Sequence, residues 1–320
     1  MSAMRACVTG GAGFIGSHLV ERLVADGASV CVLDDLSVGT RENLAAVPAV
    51  DLHVGDVRDP EATSAAVAGC DVVFHLAALA SVQRSVDHPH PSIDVNMGGT
   101  LQMLEACRRA GVRRFVLAGS SSIYGDTPTL PKSESLPISP LSPYAASKAG
   151  AEALVHAYRR TWGLEGVILR FFNVYGPRQS HTSAYAGAIP VFLSACLEGR
   201  PCTLFGDGGH TRDFTFVTDT VDAIVRAAHV DAAAAEEAIN IGAGSRRSVR
   251  EILTLIEQVV GRELDLSEAP ARSGDIRHSE ADVRRAHAIL DWQPQVAFEA
   301  GLRRTAEALR VHDLGVERSG

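Results

Sequence analysis

Four glycines stand within seven positions near the start of the chain, in the stretch "GGAGFIG". The apolar run "ACV" precedes them and the helical pattern "FIGSHLVERLV" follows. Glycine in regular structure costs about 0.5–1 kcal/mol relative to alanine, so this turn needs a bare backbone. Gly11, Gly13 and Gly16 fit the spacing G-x-G-x-x-G, and Gly10, Gly13 and Gly16 fit G-x-x-G-x-x-G. A strand, a glycine turn and a helix in this order predict a parallel α/β sheet with a phosphate-bearing ligand at the helix N-terminus.

Short β-rich runs such as "SVCVLD", "DVVFHLA" and "RRFVLAGS" alternate with longer helical patterns. This alternation predicts an α/β fold, a Rossmann-like doubly wound parallel sheet, with a dinucleotide-binding domain over residues 1–175. The pattern loosens afterwards, and residues 176–320 are predicted to form a smaller C-terminal α/β region. We expect that region mainly to bind substrate and to pack partly back on the first.

Composition narrows the functional class. A net charge of −8 without a basic cluster argues against a nucleic-acid surface. No signal peptide or membrane-length apolar run is evident, so we expect a cytoplasmic protein without membrane contact. The six cysteines lack a C-x-x-C pair, and the stretch "DHPHP" reads as a plain loop, so no disulfide frame or metal site is expected.

The second strand supports the dinucleotide interpretation. It ends in Asp34, at the distance from the glycine turn where an acidic residue binds a ribose diol. A carboxylate at this position repels a 2′-phosphate, which favours NAD over NADP.

A candidate catalytic group follows the loop of residues 126–143, which is rich in proline and serine and is expected at the surface. Tyr144 and Lys148 lie four apart at the start of a long helical pattern and therefore share one face. A neighbouring ammonium and a cationic nicotinamide stabilise a phenolate, which can then take a hydroxyl proton during hydride transfer. Ser120, at a predicted strand end, is the candidate hydroxyl that relays this proton.

Together these motifs resemble the extended short-chain dehydrogenase/reductases that act on nucleotide sugars, and among them the 4-epimerases of the UDP-galactose 4-epimerase type. The resemblance covers nearly the whole chain, through "TGGAGFIGSHL", "LDDLSVGTREN", "GDVRD", "FHLAA", "VNMGGTLQMLEA", "SSSIYGD", "SPYAASK", "RFFNVYGPRQ", "GDGGHTRDFTFVTD" and "RSGDIRHSEAD".

The resemblance implies a set of site residues. Ser120, Tyr144 and Lys148 would be catalytic. The NAD site would comprise Gly10, Gly13, Phe14, Ile15, Gly16, Asp34, Asp56, Val57, Ala77, Asn96, Tyr144 and Lys148. The substrate site would comprise Ser121, Ser122, Asn173, Thr203, Phe205, Arg212, Arg272, Asp275 and Ser279. Among these, Asn173, Arg212, Arg272 and Asp275 match positions that hold the diphosphate and ribose, and Phe205 matches an aromatic that lies against uracil. Arg178 either belongs to the residues that hold the diphosphate and ribose, or only fixes the turn in which it lies.

Several positions bear on the reaction. Related 4,6-dehydratases carry an Asp–Glu pair where this chain has Ser121 and Ser122, which favours epimerisation. Ser279 stands where some relatives carry a bulky tyrosine, so an N-acetyl group on the sugar has space. Ser180 replaces an arginine typical of glucuronate epimerases.

The chain is therefore interpreted as an NAD-dependent 4-epimerase of a UDP-hexose, with UDP-GlcNAc/UDP-GalNAc or UDP-Glc/UDP-Gal as substrates and a transient 4-keto sugar. The alternatives are a nucleotide-sugar dehydratase, a UDP-glucuronate 4-epimerase and a non-catalytic NAD-sensing protein on the same fold. The resemblance also implies a homodimer formed through the long helices.

Overall fold

A seven-stranded sheet forms the centre of the molecule, with the strand order β10-β6-β5-β4-β1-β2-β3 and every neighbouring pair parallel. This all-parallel sheet confirms the predicted Rossmann-like fold. The computed structural model describes residues 4–181, 187–270 and 276–316.

The strands are β1 Arg5–Thr9, β2 Ser29–Asp34, β3 Asp51–Val54, β4 Val72–His75, β5 Arg114–Ser120, β6 Glu165–Phe171, β7 Asn173–Tyr175, β8 Cys202–Phe205, β9 Thr211–Phe216, β10 Ile239–Ile241, β11 Arg246–Ser248 and β12 Leu266–Ala269. The α-helices are α1 Phe14–Ala25, α2 Pro60–Val67, α3 Val82–Asp87, α4 Pro89–Ile93, α5 Gly99–Ala110, α6 Pro143–Trp162, α7 Ala188–Glu198, α8 Val217–Ala227, α9 Val249–Val260, α10 Arg284–Leu290 and α11 Phe298–Val316. Two 3-10 turns, Arg41–Leu44 and Ser121–Tyr124, and a π-helical turn, Asp94–Gly98, lie between these elements.

Two helical layers cover the sheet. Helices α1 and α8 bury one face, with Leu19, Leu23 and Ile224 packed on alternate residues of the strands. Helices α2, α5 and α6 bury the other face, with Met103 and Val155 among the packed side chains. All seven residues of β5 are buried, as expected for a central parallel strand.

The chain after residue 176 returns to this sheet through β10, which pairs with β6. It also supplies most of a three-stranded sheet, in the order β11-β9-β7, and all of a parallel pair, β12 with β8. The boundary at residue 175 stays a prediction. No helix in the described ranges is both long and apolar enough to span a membrane.

Two loop expectations were wrong in part. The loop of residues 126–143 runs up to the start of α6 at Pro143 and is largely at the surface, but Lys132 within it is completely buried. The stretch "DHPHP" is not a plain loop, because α3 ends at Asp87 and α4 begins at Pro89. Proline is compatible with the first turn of a helix, where no backbone donor is needed.

Candidate active site

A cavity of about 620 Å³ lies at the carboxyl ends of the central strands, against β7 and β9 of the C-terminal region. The sequence-predicted residues that line it are Gly10, Gly13, Phe14, Ile15, Gly16, Asp34, Asp56, Val57, Ala77, Ser120, Ser121, Ser122, Tyr144, Lys148, Asn173, Arg212 and Ser279. Ligands of open parallel sheets bind at this edge.

Three predicted site residues lie elsewhere. Asn96 is buried behind the wall, where its side chain binds the backbone of Leu79 and the Ser147 hydroxyl. Thr203 and Phe205 lie on β8 and are not among the residues that line the cavity, and Thr203 Oγ1 shares a 3.2 Å hydrogen bond with Ser267 on β12. Arg272 and Asp275 fall outside the described residues.

The glycine turn brings bare backbone to one end of the cavity. Gly10 has φ +69°, and a Cβ there would lie 2.8 Å from the Ala77 nitrogen. Helix α1 begins after Gly13 without a side-chain cap and has no acidic residue in its first turn. Its N-terminal backbone N–H groups therefore remain available to the oxygens of a diphosphate.

Asp34 stands beside this turn at the end of β2. Its Oδ2 accepts the backbone N–H of Ala12 and its Oδ1 accepts that of Leu36, each at 2.9 Å. Burial raises the pKa of Asp34, and the two backbone donors oppose that rise. Each carboxylate oxygen keeps a second lone pair for a ribose hydroxyl. The turn and this carboxylate together fit a dinucleotide without a 2′-phosphate.

The start of α6 places the candidate proton acceptor. Ser142 caps the helix by accepting the backbone N–H of Ala145, and the Tyr144 N–H donates to Ser85 Oγ at 3.0 Å. Burial raises the pKa of Tyr144, and the nearby Ser120 hydroxyl opposes that rise. Ser120 Oγ lies 2.9 Å from Ser122 Oγ, so three hydroxyls line this part of the cavity.

Lys148 lies one helical turn after Tyr144 and is buried. Its ammonium donates to the Ala118 carbonyl oxygen at 2.9 Å. Burial lowers the pKa of Lys148 to about 8, against the opposing effect of Glu152 one turn further along α6. The lysine therefore carries a positive charge at neutral pH beside Tyr144.

Glu152 and Arg170 form a buried ion pair behind Lys148. Arg170 Nη2 donates to Glu152 Oε2 at 2.9 Å, and its Nη1 donates to the Tyr124 hydroxyl at 2.8 Å. Tyr124 in turn donates to Asn240 Oδ1 at 2.6 Å. Side-chain hydrogen bonds thus run from Asn240 on β10 to Glu152 on α6 and fix the carboxylate whose charge acts on Lys148.

The other end of the cavity is formed by the C-terminal region. Ser279 lines it, and its backbone N–H donates to the Thr211 carbonyl oxygen at 3.0 Å. Asp213 on β9 accepts the backbone N–H groups of Ala243, Gly244 and Ala281 at 2.6–3.0 Å. These bonds fix the backbone next to Arg212.

Sequence reasoning missed residues that act through other side chains. Glu152 gave only a helical spacing from Lys148, and nothing local indicated Arg170 as its partner. Gln179, in "YGPRQ", lines the cavity, and its buried Oε1 has no hydrogen-bond partner among the described residues. Arg178 binds Ser17 and Glu21 of α1 and so holds its loop.

The comparisons with known proteins agree with this geometry. The profile of the NAD dependent epimerase/dehydratase family matches residues 6–242. The chain is 45% identical to a UDP-glucose 4-epimerase of Mycolicibacterium smegmatis, over 96% of this chain and 99% of that protein.

Two solved structures show the same fold. The UDP-glucose 4-epimerase of Thermus thermophilus, in complex with NAD, is 39% identical with a TM-score of 0.89, covering 96% of this chain and 99% of that one. The UDP-N-acetylglucosamine 4-epimerase of Methanobrevibacter ruminantium, in complex with UDP-N-acetylmuramic acid, is 35% identical with a TM-score of 0.92. That match covers 98% of this chain and all of the other.

Proposed function

The chain belongs to the NAD dependent epimerase/dehydratase family, and from this premise we propose that it interconverts UDP-hexoses that differ at C4, with UDP-GlcNAc and UDP-GalNAc as preferred substrates and UDP-Glc and UDP-Gal as further ones. The observation that carries the proposal is the meeting of Ser120, Tyr144 and Lys148 in a cavity that extends from the glycine turn to Arg212 and Ser279.

Tyr144 is the proton acceptor of the proposed reaction. NAD, when bound, supplies the group that takes the C4 hydride and later returns it. Tyr144, as the phenolate, takes the proton of the sugar's O4 directly or through Ser120, which leaves a 4-keto sugar. The charge of the buried Lys148 ammonium would stabilise the phenolate, together with the positive charge of NAD when it is bound.

Inversion requires that the hexose turn while the nucleotide stays bound. Arg212 would hold the diphosphate through both half-reactions, since a guanidinium matches phosphate oxygens in geometry and charge. Tyr144 then returns its proton to O4 when the opposite face of the keto sugar receives the hydride. The net redox change is zero, so the enzyme keeps its NAD.

The cavity's charges favour epimerisation over loss of water. Elimination from a 4-keto sugar needs an acid and a base near C5 and C6. The carboxylates among the described lining residues are Asp34, Asp35 and Asp56. They lie at the end of β2 or just after β2 and β3, and these strands are separated from β5 by β4 and β1 in the sheet. Beside the catalytic group stand Ser121 and Ser122 instead.

The wall at Ser279 supports an N-acetylated substrate. A serine at this position leaves space that a large side chain would fill, and its backbone is held to Thr211. UDP-glucose would also fit such a space, so the two substrates are expected to share the site.

The deciding experiment is proton NMR of the purified protein with UDP-GlcNAc in D2O and no added cofactor. We expect UDP-GalNAc to accumulate without deuterium at C5. Tyr144→Phe should slow this conversion by about 10²–10⁴-fold. Tyr158→Phe is the matched control, because this tyrosine of the same helix binds Glu105 instead. Vinyl signals or deuterium at C5 would show elimination and overturn the assignment, and conversion of UDP-glucose alone would overturn the N-acetyl preference.

A further inference from the structure

The chain contains only two lysines, Lys132 and Lys148, among its 30 basic residues. The other 28 of these residues are arginines. A lysine ammonium is a compact point donor, whereas a guanidinium is a broad planar fork, and the two do not substitute for each other in a closed site. Lys148 has a role in the proposed reaction, and Lys132 has none so far.

Lys132 is completely buried between the turn at Gly125 and the segment of residues 278–282. Its Nζ donates to the Gly125 carbonyl oxygen at 2.8 Å, five residues after Ser120. Its backbone N–H donates to Glu280 at 2.7 Å, and its carbonyl oxygen accepts the Asp282 N–H at 2.9 Å. One residue thus joins the turn that follows the catalytic serine to the segment of residues 278–282.

The 278–282 segment is fixed on its other edge by β9. Ser279 N–H donates to Thr211, and Ala281 N–H donates to Asp213 Oδ2, both at 3.0 Å. Ser279, which lines the cavity, therefore lies between Lys132 and the strand that carries Arg212.

Lys132 and Arg212 lie on either side of the 278–282 segment, since Lys132 binds Glu280 and Thr211, next to Arg212, binds Ser279. Burial, and next the charge of Arg212, lower the pKa of Lys132 to about 8, while Asp126 opposes the shift. The carboxylates nearest to Lys132 along the segment bind other cations, since Glu280 pairs with Arg246 and Asp282 with Arg284. Within the described part of the chain, Lys132 forms no salt bridge. A buried positive charge in this position is stabilised when an anion binds nearby.

We propose that Lys132 is a positioning residue of the nucleotide-sugar site, which holds the Ser279 segment in place and adds its charge to that of Arg212 to attract the substrate diphosphate. The proposal rests on the proposed function. Lys132 lies behind the cavity wall and takes no part in the proton transfer.

The two-lysine composition provides a direct test. Lysine labelled with 13C at Cε gives two side-chain signals, and Lys132→Met removes one and thereby assigns both. Addition of UDP to the NAD-bound protein should raise the pH at which Lys132 titrates by about one unit, because the diphosphate favours the ammonium. The Lys148 signal should move less and serves as the internal control.

A second measurement distinguishes an electrostatic role of Lys132 from a purely structural one. UDP affinity of the wild type should fall up to about tenfold between pH 7.5 and 9, as Lys132 loses its proton. In Lys132→Met the affinity should be lower at pH 7.5 and lack this pH step. For the proposed reaction, the same variant should raise KM for the UDP-sugar several-fold more than it lowers kcat, with NAD affinity unchanged. If Lys132 had a purely structural role, the UDP affinity of Lys132→Met would still fall between pH 7.5 and 9.

The outcomes are distinct. If the wild type does not bind UDP, the proposed function fails and this inference with it. If UDP binds but leaves the Lys132 titration unmoved, the inference alone is overturned. Thermal unfolding and NAD binding report whether Lys132→Met folds, and where it does not, the wild-type titration decides, with the Lys132 signal assigned by elimination using Lys148→Arg.

Discussion

At the scale of single residues, the site depends on how a buried lysine keeps its proton. Among the described residues, the Lys148 ammonium donates only to a neutral carbonyl oxygen, so its charge depends on Glu152, which is 2% exposed and held by Arg170. Burial raises the pKa of Glu152, whereas Arg170 and Lys148 lower it, with a net rise. The negative charge of Glu152 favours the ammonium form of Lys148.

Glu152→Gln should therefore move the alkaline limb of the epimerase pH profile to lower pH by about one unit. The folded-state pKa of Lys148, already below its ordinary value, falls further when the negative charge is removed, so the ammonium is lost earlier as pH rises. The rate is measured across pH at saturating UDP-sugar.

Two further variants control this result. Glu152→Gln combined with Arg170→Met removes charges of both signs and should bring the limb back towards the wild-type position. Glu198→Gln, on α7, should leave it in place. A limb that stays fixed in Glu152→Gln, or that the double variant does not restore, would contradict the role of Glu152.

At the scale of elements, the glycine turn and α1 form a single unit. A Cβ at Gly16 would overlap the Gly10 carbonyl oxygen, which belongs to backbone that cannot move aside. Gly10 is itself pressed against Ala77 after β4. The helix can therefore approach the turn closely only if residue 16 has no side chain.

Gly16→Ala should lower the free energy of unfolding by about 1–3 kcal/mol through this overlap. It should also weaken NAD binding, because α1 is pushed away from the turn. Gly98→Ala is the matched control, since a Cβ there meets nothing within 4 Å, and in a helical turn it should be neutral or stabilising by up to about 1 kcal/mol. Chemical denaturation and calorimetric NAD titration provide the measurements. If Gly16→Ala is destabilised but binds NAD with unchanged affinity, the close approach of α1 to the turn is not needed for NAD binding.

At the scale of the whole molecule, the outer surface of one helical layer, α3–α6, carries several exposed apolar side chains. Val82, Val86, Ile93, Met97, Leu101 and Trp162 are large apolar side chains of α3–α6 and the π-helical turn with at least a third of their surface exposed. Exposed apolar side chains that gather on one layer favour an interaction site there. The homodimer through the long helices stays a prediction, and this layer is where we expect it.

Met97→Glu with Leu101→Glu should therefore convert a dimer to a monomer, because the two side chains lie one helical turn apart and a buried carboxylate is costly. Val311→Glu is the control, since Val311 is 72% exposed on α11, outside this layer. Sedimentation velocity measures the mass of each variant. A wild-type monomer, or a dimer that persists in the double variant, would place the association elsewhere or exclude it.

The sequence by itself determined the features that depend on neighbours along the chain. The glycine spacing, the acidic end of β2 and the four-residue step from Tyr144 to Lys148 follow from the periods of a turn, a strand and a helix, and the structure places these residues on one cavity. Tertiary structure alone decided the rest. The pairing of Glu152 with Arg170 and the burial of Lys132 inside a loop rich in proline depend on packing between distant segments. Local periodicity carries no information about such contacts, because burial and partner choice are set by whichever element the folded chain brings opposite.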